Sequence, residues 1–513
     1  MATATVLSRL SLIPKLSCKP KSFSNRRTTT PTTVSVRAQA SFSDPFVLQL
    51  AESLEDSLSP SPSSLTLQRI RDSSAESLLS TPWPSRRDEP FRFTDTSFIR
   101  YSQIEPRIRD SSAESLLSTP WPSRRDEPFR FTDTSFIRYS QIEPVSTQQR
   151  NSEILDNLTE THFPNAVIID GFVSNLTIGP SDLPDGVYFG SFSGLPDELT
   201  NRVSELIGDF DSGDLFWSIN GMGAPDLTVI YVPAGCKVEN SIHLRYFSGE
   251  TGDRESKRLP VSNPRVFVLV EEGGEIGIVE EFLGRDEQGF YWTNPVLEVV
   301  VLKNAKVKHS YLQKESMAAA HIKWTFVRQE AESEYELVEV STGGRLGRHN
   351  VHVQQLGPDT LTELTTFHMC VNEQTLDLHS RIVLDHPRGS SRQLHKCIVA
   401  HSSGQAVFDG NVRVNKYAQQ TDAGQLTRSL LLKPRATVNI KPNLQIIADD
   451  VKCSHGAAIS DLEEDQLFYF QARGIDLETA RRALISSFGS EVIEKFPNRE
   501  IRDQARNHVK SLL

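Results

Sequence analysis

Residues 265–282 read RVFVLVEEGGEIGIVEEF and contain the pattern that decides the fold. Two short runs rich in Val, Ile and Phe, RVFVLV and IGIVEEF, flank an acidic turn with two glycines. Short runs of β-branched and aromatic residues bounded by glycine or charged turns are typical of β-strands. This stretch therefore predicts two strands joined by a short turn.

The same pattern of short β-rich runs separated by turns extends over residues 227–459. Amphipathic helices are nearly absent there, which argues against a doubly wound α/β domain with alternating helices. A β-sandwich, a barrel and a β-solenoid remain, and the irregular spacing with few Asn-Gly hairpins favours the solenoid. The further runs are LTVIYV (227–232), SIHLRYF (241–247), LEVVVL (297–302), HIKWTFV (321–327), YELVEVS (335–341), HVQQL (352–356), LTTFHMCV (364–371), SRIVL (380–384) and CIVA (397–400).

Helical patterns lie on either side of this β-rich region. Residues 41–226 predict a mixed and helical region, with a helix at 196–207 whose first turn suits Pro196. Residues 460–513 predict a helical domain. Its first helix, at 463–473, stops at Gly474, and Asp476 is the expected N-cap of the next helix. The apolar stripes of the later helices are Leu477, Ala480, Leu484 and Phe488, then residues 491–496 before Pro497, then Ile501, Ala505, Val509 and Leu512.

Residues 69–106 and 107–144 are identical at all 38 positions. Structural repeats normally diverge, and solenoids usually need at least three units to bury a shared core. The two copies therefore indicate a recent duplication or an artefact of the gene model. We expect one copy to have a structural place and the other to loop out.

Residues 1–40 differ in composition from the rest of the chain. They contain no Asp or Glu, seven Lys or Arg, and thirteen Ser or Thr. This composition, without a long apolar segment, predicts an organellar transit peptide, with a disordered basic tail as the alternative. The Ser and Thr content favours the plastid stroma, with cleavage near Ala38.

The remaining chain has 48 basic and 66 acidic residues. This acidic balance argues against nucleic-acid binding, which needs a basic face. No apolar run approaches the roughly 20 residues of a membrane span. The four cysteines form no CxxC motif and no dense disulfide framework, so we expect reduced thiols. They are Cys236, Cys370, Cys397 and Cys453.

Residues 448–456, ADDVKCSHG, contain a candidate metal or sulfur site. Cys453 and His455 are two positions apart, so in a β-strand their side chains point to the same face. A thiolate and an imidazole together suit a soft or borderline metal. The alternative is a structural cysteine beside a turn histidine. Two other pairs share this spacing, and we predict a structural role for them: His368 with Cys370 and His395 with Cys397.

The sequence around this pair is also informative. Residues 408–432 read FDGNVRVNKYAQQTDAGQLTRSLLL, and residues 441–475 read KPNLQIIADDVKCSHGAAISDLEEDQLFYFQARGI. Together they resemble the SufB/SufD family of iron–sulfur cluster assembly proteins, the SufD type in particular. The resemblance implies a right-handed parallel β-helix over 227–459. It also implies that Cys453 and His455 lie at an interface with SufB, with His455 binding or relaying iron.

The resemblance further implies partners and cargo. The C-terminal helices would dock a SufC-like ABC ATPase, and a transient iron–sulfur cluster would be shared with a SufB-like paralogue. No nucleotide would bind directly, and a flavin would bind only in the complex. ATP binding to two SufC subunits would twist the β-helix pair and expose the cluster site. The residues expected to contact the ATPase are Phe468, Tyr469, Phe470, Arg473, Leu477, Leu484 and Phe488.

Enzyme signatures are largely missing. The sequence has no GxxxxGK phosphate-binding loop, no GxSxG nucleophile elbow and no HExxH metal motif. We therefore predict a non-catalytic scaffold subunit in the plastid. One alternative is a β-helix polysaccharide hydrolase or lyase, for which Asp449 and Asp450 are weak candidates. The other alternative is an iron carrier that acts alone.

Overall fold

Parallel strands dominate the computed structural model, which describes residues 141–145, 164–179, 182–208, 215–284 and 288–513. The predicted transit peptide and the first duplicated copy lie outside these residues. Of the second copy, Gln141–Pro144 form a strand that pairs with residues 258–261.

The strands are β1 (Gln141–Pro144), β2 (Asn165–Ile169), β3 (Phe172–Thr177), β4 (Tyr188–Ser191), β5 (Thr228–Val232), β6 (Ile242–Phe247), β7 (Arg258–Ser262), β8 (Arg265–Val270), β9 (Glu275–Leu283), β10 (Trp292–Thr293), β11 (Val296–Val301), β12 (Lys306–Lys314), β13 (Ala320–Gln329), β14 (Glu334–Ser341), β15 (Leu346–Gln355), β16 (Leu361–Cys370), β17 (Thr375–Leu384), β18 (Ser390–Val399), β19 (Gln405–Val414), β20 (Thr421–Leu431), β21 (Thr437–Ile446) and β22 (Val451–Ser460). The α-helices are α1 (Asp197–Leu206), α2 (Leu215–Gly223), α3 (Glu464–Gln471), α4 (Leu477–Ile493) and α5 (Arg499–Ser511).

The strands form two parallel sheets that wind into a β-solenoid of about seven turns. From β11 onward the odd-numbered strands lie in one sheet, sheet A, and the even-numbered strands in the other, sheet B. A strand residue pairs with one about 30 positions further on, as Ala320 with Leu346 and Gln405 with Thr437. This pairing confirms the mainly β parallel solenoid and excludes the sandwich and barrel alternatives.

The two ends of the solenoid differ. At the N-terminal end, the antiparallel pairs β2–β3 and β4–β5 close the sheets. At the other end, β21 pairs with β19 alone and β22 with β20 alone among the described strands. We call this second end, formed by β21 and β22, the open end.

The corner that leads from sheet A to sheet B uses a repeated left-handed residue. Each such residue donates its backbone N–H to a carbonyl of the next turn, as Glu332 to Pro358 at 2.9 Å and Asp359 to Pro387 at 3.2 Å. A left-handed conformation costs a non-glycine residue about 1–2 kcal/mol, so we infer that these hydrogen bonds offset the cost. The column consists of Gly273, Asn304, Glu332, Asp359, Arg388 and Gln420.

The C-terminal helices cover part of the outer face of sheet B. Asp476 caps α4 by accepting a hydrogen bond from the Thr479 amide at 3.0 Å, and Gly474 has a φ of +79°, as expected for the end of α3. Residues 477–493 form one continuous helix, so the segment at 491–496 begins inside α4. Side chains of both layers meet in an apolar cluster that includes Leu312, Val338, Phe367, Ile398, Ile485, Val492, Phe496, Ile501 and Val509.

His508 on α5 makes the contact between this helix and sheet B sensitive to pH. Its Nε2 lies 2.8 Å from Thr342 Oγ1, and burial, followed by the charge of Lys314, lowers the pKa of His508 to about 4. An unfolded histidine titrates near 6.5, so between these values the unfolded chain binds the extra proton. Stability therefore rises with pH through this window and falls as the pH drops from about 6.5 to 4.

We expect the loss over this pH range to be about 2–3 kcal/mol for this one group, and absent in His508→Gln, which cannot take up the proton. Urea unfolding at several pH values measures it. The exposed His386, replaced by Gln, is the matched control and should unfold like the wild type. Equal pH dependence of the wild type and His508→Gln would contradict the assignment.

Candidate functional site at the open end of the solenoid

Cys453 and His455 lie on β22, the last strand of sheet B. Val451 and Cys453 are partly buried and pack against the interior core of the solenoid. Alternating strand geometry places His455 on the same inward side, but β22 has no neighbour beyond it among the described strands, and His455 is exposed. The structure thus places both predicted residues on the same face of β22 at the open end.

The environment keeps the Cys453 thiol protonated until something displaces its proton. Burial raises the pKa of Cys453 above its ordinary value, and the Asp422 carboxylate adds to this. A metal ion binds the thiolate, so binding here must release a proton. The preceding Asp450 helps to build the corner before β22, where its carbonyl accepts the Gln420 amide.

The other two cysteine–histidine pairs also face the interior, but they are fully enclosed. His368, Cys370, His395 and Cys397 are each at most 2 % exposed. Burial raises the pKa of Cys397 to about 12. The Cys397 thiol contacts Ser429 Oγ at 3.1 Å, and the Cys370 thiol donates to the Gln405 carbonyl at 3.3 Å. Protonated, enclosed thiols with these partners fit the predicted structural role.

A buried polar network fills the middle of the solenoid, and no motif or spacing in the sequence indicates it. Glu280 is its first centre. This carboxylate accepts hydrogen bonds from Lys323 Nζ at 2.8 Å and from Tyr246 Oη at 2.8 Å, and it contacts His309 Nε2 at 2.9 Å. Burial alone would raise the pKa of Glu280, but Lys323 and His309 outweigh burial and hold it well below its usual range.

Glu339 is the second centre of the network. Its two oxygens contact His349 Nδ1 at 2.7 Å and His368 Nε2 at 2.8 Å. Burial would raise the pKa of Glu339, but the two imidazoles hold it well below its usual value. The His368 ring meets the His395 ring edge to face, with the centroids 5.0 Å apart. Polar groups therefore continue inside the solenoid towards the open end.

A groove of about 680 Å³ runs along the outer face of sheet B beside the site. Leu394 and Leu426 contribute apolar side chains to it, and Gly424 and Gly456 line it without side chains. Charged residues of both signs line it, and so does His455. These charged residues are Glu363, Arg392, Asp422, Lys452, Glu491 and Lys495.

The predicted ATPase-docking residues differ in their exposure to solvent. Phe468, Tyr469 and Leu477 are exposed by 70 %, 55 % and 47 %. The Arg473 guanidinium lies 3.5 Å from the Tyr469 ring centroid. Phe470 and Leu484 are half-buried.

Phe488 belongs to a different surface from the exposed aromatic residues of α3. It packs against the apolar cluster between the helices and sheet B, with the Lys396 ammonium 4.0 Å from its ring centroid. Phe488 therefore serves the attachment of α4 to the solenoid.

Within the part of the chain that the structure describes, no three or more His, Cys, Asp or Glu residues are grouped so as to hold a metal ion. Cys453 and His455 would supply two ligands at most. None of the described helices combines the length and the apolar character needed to cross a bilayer.

Comparison with known proteins gives the family. Residues 252–488 match the model of the SufBD core domain of the SUF system for FeS cluster assembly. The protein named "Protein ABCI7, chloroplastic" from Arabidopsis thaliana is 84 % identical over the full length of both chains. This similarity confirms the predicted plastid location.

Two bacterial relatives extend the similarity. A Synechocystis protein named as an iron–sulfur cluster assembly SufBD family protein is 35 % identical, covering 69 % of this chain and 78 % of that protein. The Escherichia coli iron–sulfur cluster assembly protein SufD is 29 % identical, covering 58 % of this chain and 69 % of that protein. The chain therefore belongs to the SufBD family of iron–sulfur cluster assembly proteins and is SufD-like.

Proposed function

We propose that this protein is a non-catalytic scaffold subunit that pairs with a SufB-like paralogue in the chloroplast stroma and holds part of a nascent iron–sulfur cluster. The observation that supports this most is the position of Cys453 and His455 on the inward face of β22, beyond which no further described strand is paired. A site open on one side of the chain is suited to completion by a second chain.

The open end has the properties of an unfinished interface. Both β21 and β22 present an edge without a neighbouring described strand, and such edges are normally covered or paired. Ile446, Ile447 and Ile459 at this end are exposed by 45 %, 52 % and 54 %. A second β-solenoid could continue both sheets and bury these apolar side chains together with the Cys453–His455 pair.

The cluster is the cargo of this site. A [4Fe–4S] cluster usually takes four thiolate ligands, whereas this site offers one thiol and one imidazole. We therefore assign the remaining ligands to the SufB-like partner. His455 would bind or relay iron, and Cys453 would be an accessory sulfur ligand. An open, two-ligand site supports transient binding followed by release.

The energy for assembly would come from a SufC-like ATPase. Phe468 and Tyr469 on α3 and Leu477 at the start of α4 are exposed apolar side chains, and aromatic side chains are common anchors in interfaces. In this proposal no nucleotide binds the chain itself, and a flavin binds only in the assembled complex.

A co-purification experiment tests this function. The chain from Ala40 is produced with stromal SufB-like and SufC-like proteins, as the wild type, His455→Ala and the control His401→Ala at a turn outside the site. Iron and acid-labile sulfide are measured on each purified complex. We expect His455→Ala to keep both partners and lose most of the cluster, because one iron ligand is missing. The control should keep both partners and the cluster.

Two results would count against the proposal. Normal cluster content in His455→Ala would show that His455 is not a ligand of the cluster. Failure of the wild type to bind either partner would contradict the scaffold function itself.

A further inference from the structure

Gln425 is the residue that is paired with His455 on the neighbouring strand, and it is buried. In the parallel register of β20 and β22, Gln425 is paired with His455, and in that of β18 and β20, Gln393 is paired with Gln425. Side chains at paired positions of neighbouring strands point to the same face, with the strands about 4.8 Å apart. His455 thus continues a column of two glutamines.

The two glutamines form a directed chain of hydrogen bonds. Ser380 Oγ donates to Gln393 Oε1 at 3.0 Å, and Gln425 Nε2 donates to the same oxygen at 3.0 Å. The Gln425 carboxamide is thereby oriented, and its side chain is 3 % exposed. Its Oε1 has no hydrogen-bond partner among the described residues. A buried carbonyl oxygen without a donor is unfavourable, so this atom is an acceptor in need of an N–H group.

Sheet A leaves room for this carboxamide at Gly410. A Cβ added to Gly410 would overlap Gln425 Nε2 and would lie 2.5 Å from Phe408 Cζ. The Phe408 ring in turn stacks on His395, with the centroids 4.8 Å apart. The glycine therefore permits the carboxamide to occupy a defined position between the two sheets.

We propose that Gln425 is the positioning residue of His455: its Oε1 accepts the N–H of the imidazole when the ring turns inward, and this fixes which ring nitrogen carries the proton. The other nitrogen then presents its lone pair towards the open end, where a metal ion would bind. Metal-binding histidines commonly donate their second N–H to such an oxygen. The inference deepens the proposed function and rests on it for its purpose, but the contact can be tested in the chain alone.

Nitrogen NMR of the chain from Ala40 with ¹⁵N-labelled histidine reports the tautomer of His455, whose resonances are assigned by their absence in His455→Ala. Three variants are compared with the wild type. Gln425→Met removes the acceptor at similar size, Gln425→Glu keeps an acceptor, and Thr427→Val is the matched control. Thr427 lies on the same face of β20 and is buried, and its Oγ1 has no hydrogen-bond partner within the described part of the chain, but it is paired with Ala457.

We expect one tautomer to dominate in the wild type, in Gln425→Glu and in Thr427→Val. In Gln425→Met the ratio of the two tautomers should fall by about fivefold, as for the loss of one ordinary hydrogen bond. In the complex, Gln425→Met should also lower cluster content, whereas Gln425→Glu should keep the cluster content of the wild type. If Gln425→Met does not fold, Gly410→Ala, which displaces the carboxamide, takes its place.

The outcomes separate the inference from the proposed function. If Gln425→Met keeps the wild-type tautomer ratio while His455→Ala loses cluster, the positioning role is wrong and the scaffold site stands. If the ratio changes as expected but His455→Ala assembles a normal cluster, the contact is real and the proposed function of His455 is wrong.

Discussion

Replacing Glu280 with alanine should lower the free energy of unfolding by about 3–5 kcal/mol, because the change leaves a buried ammonium without its counter-charge. Lys323 is fully buried, and burial already lowers its pKa below the ordinary lysine value. Its Nζ lies 2.8 and 3.0 Å from the two Glu280 oxygens. His309 Nε2 and Tyr246 Oη would lose the same partner.

Guanidinium unfolding followed by circular dichroism measures this effect. The matched control is Glu334→Ala, which removes the exposed ion pair with Lys306 on the neighbouring strands β14 and β12. Exposed pairs contribute about 0–1 kcal/mol, so this variant should unfold close to the wild type. The double variant Glu280→Leu with Lys323→Met should recover most of the loss, since no buried charge remains at this pair. Equal effects of Glu280→Ala and Glu334→Ala would contradict a dominant role of the buried pair.

The double substitution Ile446→Lys and Ile459→Lys should weaken binding of the SufB-like partner by about 100-fold, or close to 3 kcal/mol. Each isoleucine is about half exposed at the open end. Burying the remaining apolar surface would stabilise the complex, whereas two lysines would bring charges that must be desolvated on binding. The fold of the lone chain should change little, because these positions already face solvent.

Pull-down and biolayer interferometry with the SufB-like protein measure the dissociation constant. Leu356→Lys is the control, because Leu356 is also exposed, by 42 %, but follows β15 at a corner distant in sequence from β21 and β22. We expect it to bind like the wild type. A double variant that binds as tightly as this control would place the interface elsewhere on the molecule.

Much of the architecture could be predicted from local sequence patterns. Runs such as RVFVLV became strands because β-branched residues suit a strand buried on both faces. The cap at Asp476 and the stop at Gly474 follow from single-residue chemistry and were predicted where they occur. Cys453 and His455 share a face because their spacing of two matches the strand period.

The contacts that these strands make with other strands could not be predicted from the sequence. Contacts such as Glu280 with Lys323 or Gln393 with Gln425 join residues 32 to 43 positions apart. They depend on a register that varies by several residues from one turn to the next, and no local pattern encodes it. Phe488 shows the same limit within a helix: its stripe predicted an apolar face, but only tertiary packing decides that this face meets the solenoid.

The open end also has a consequence for the supply of this protein in the cell. Under the proposed pairing with a SufB-like subunit, a chain that lacks its partner presents two edges without a neighbouring described strand and three exposed isoleucines, a surface that favours self-association. Synthesis in excess of the partner would therefore produce a population prone to aggregation and to clearance by chaperones and proteases. We expect the steady-state amounts of the two subunits to rise and fall together, with the surplus of either one removed.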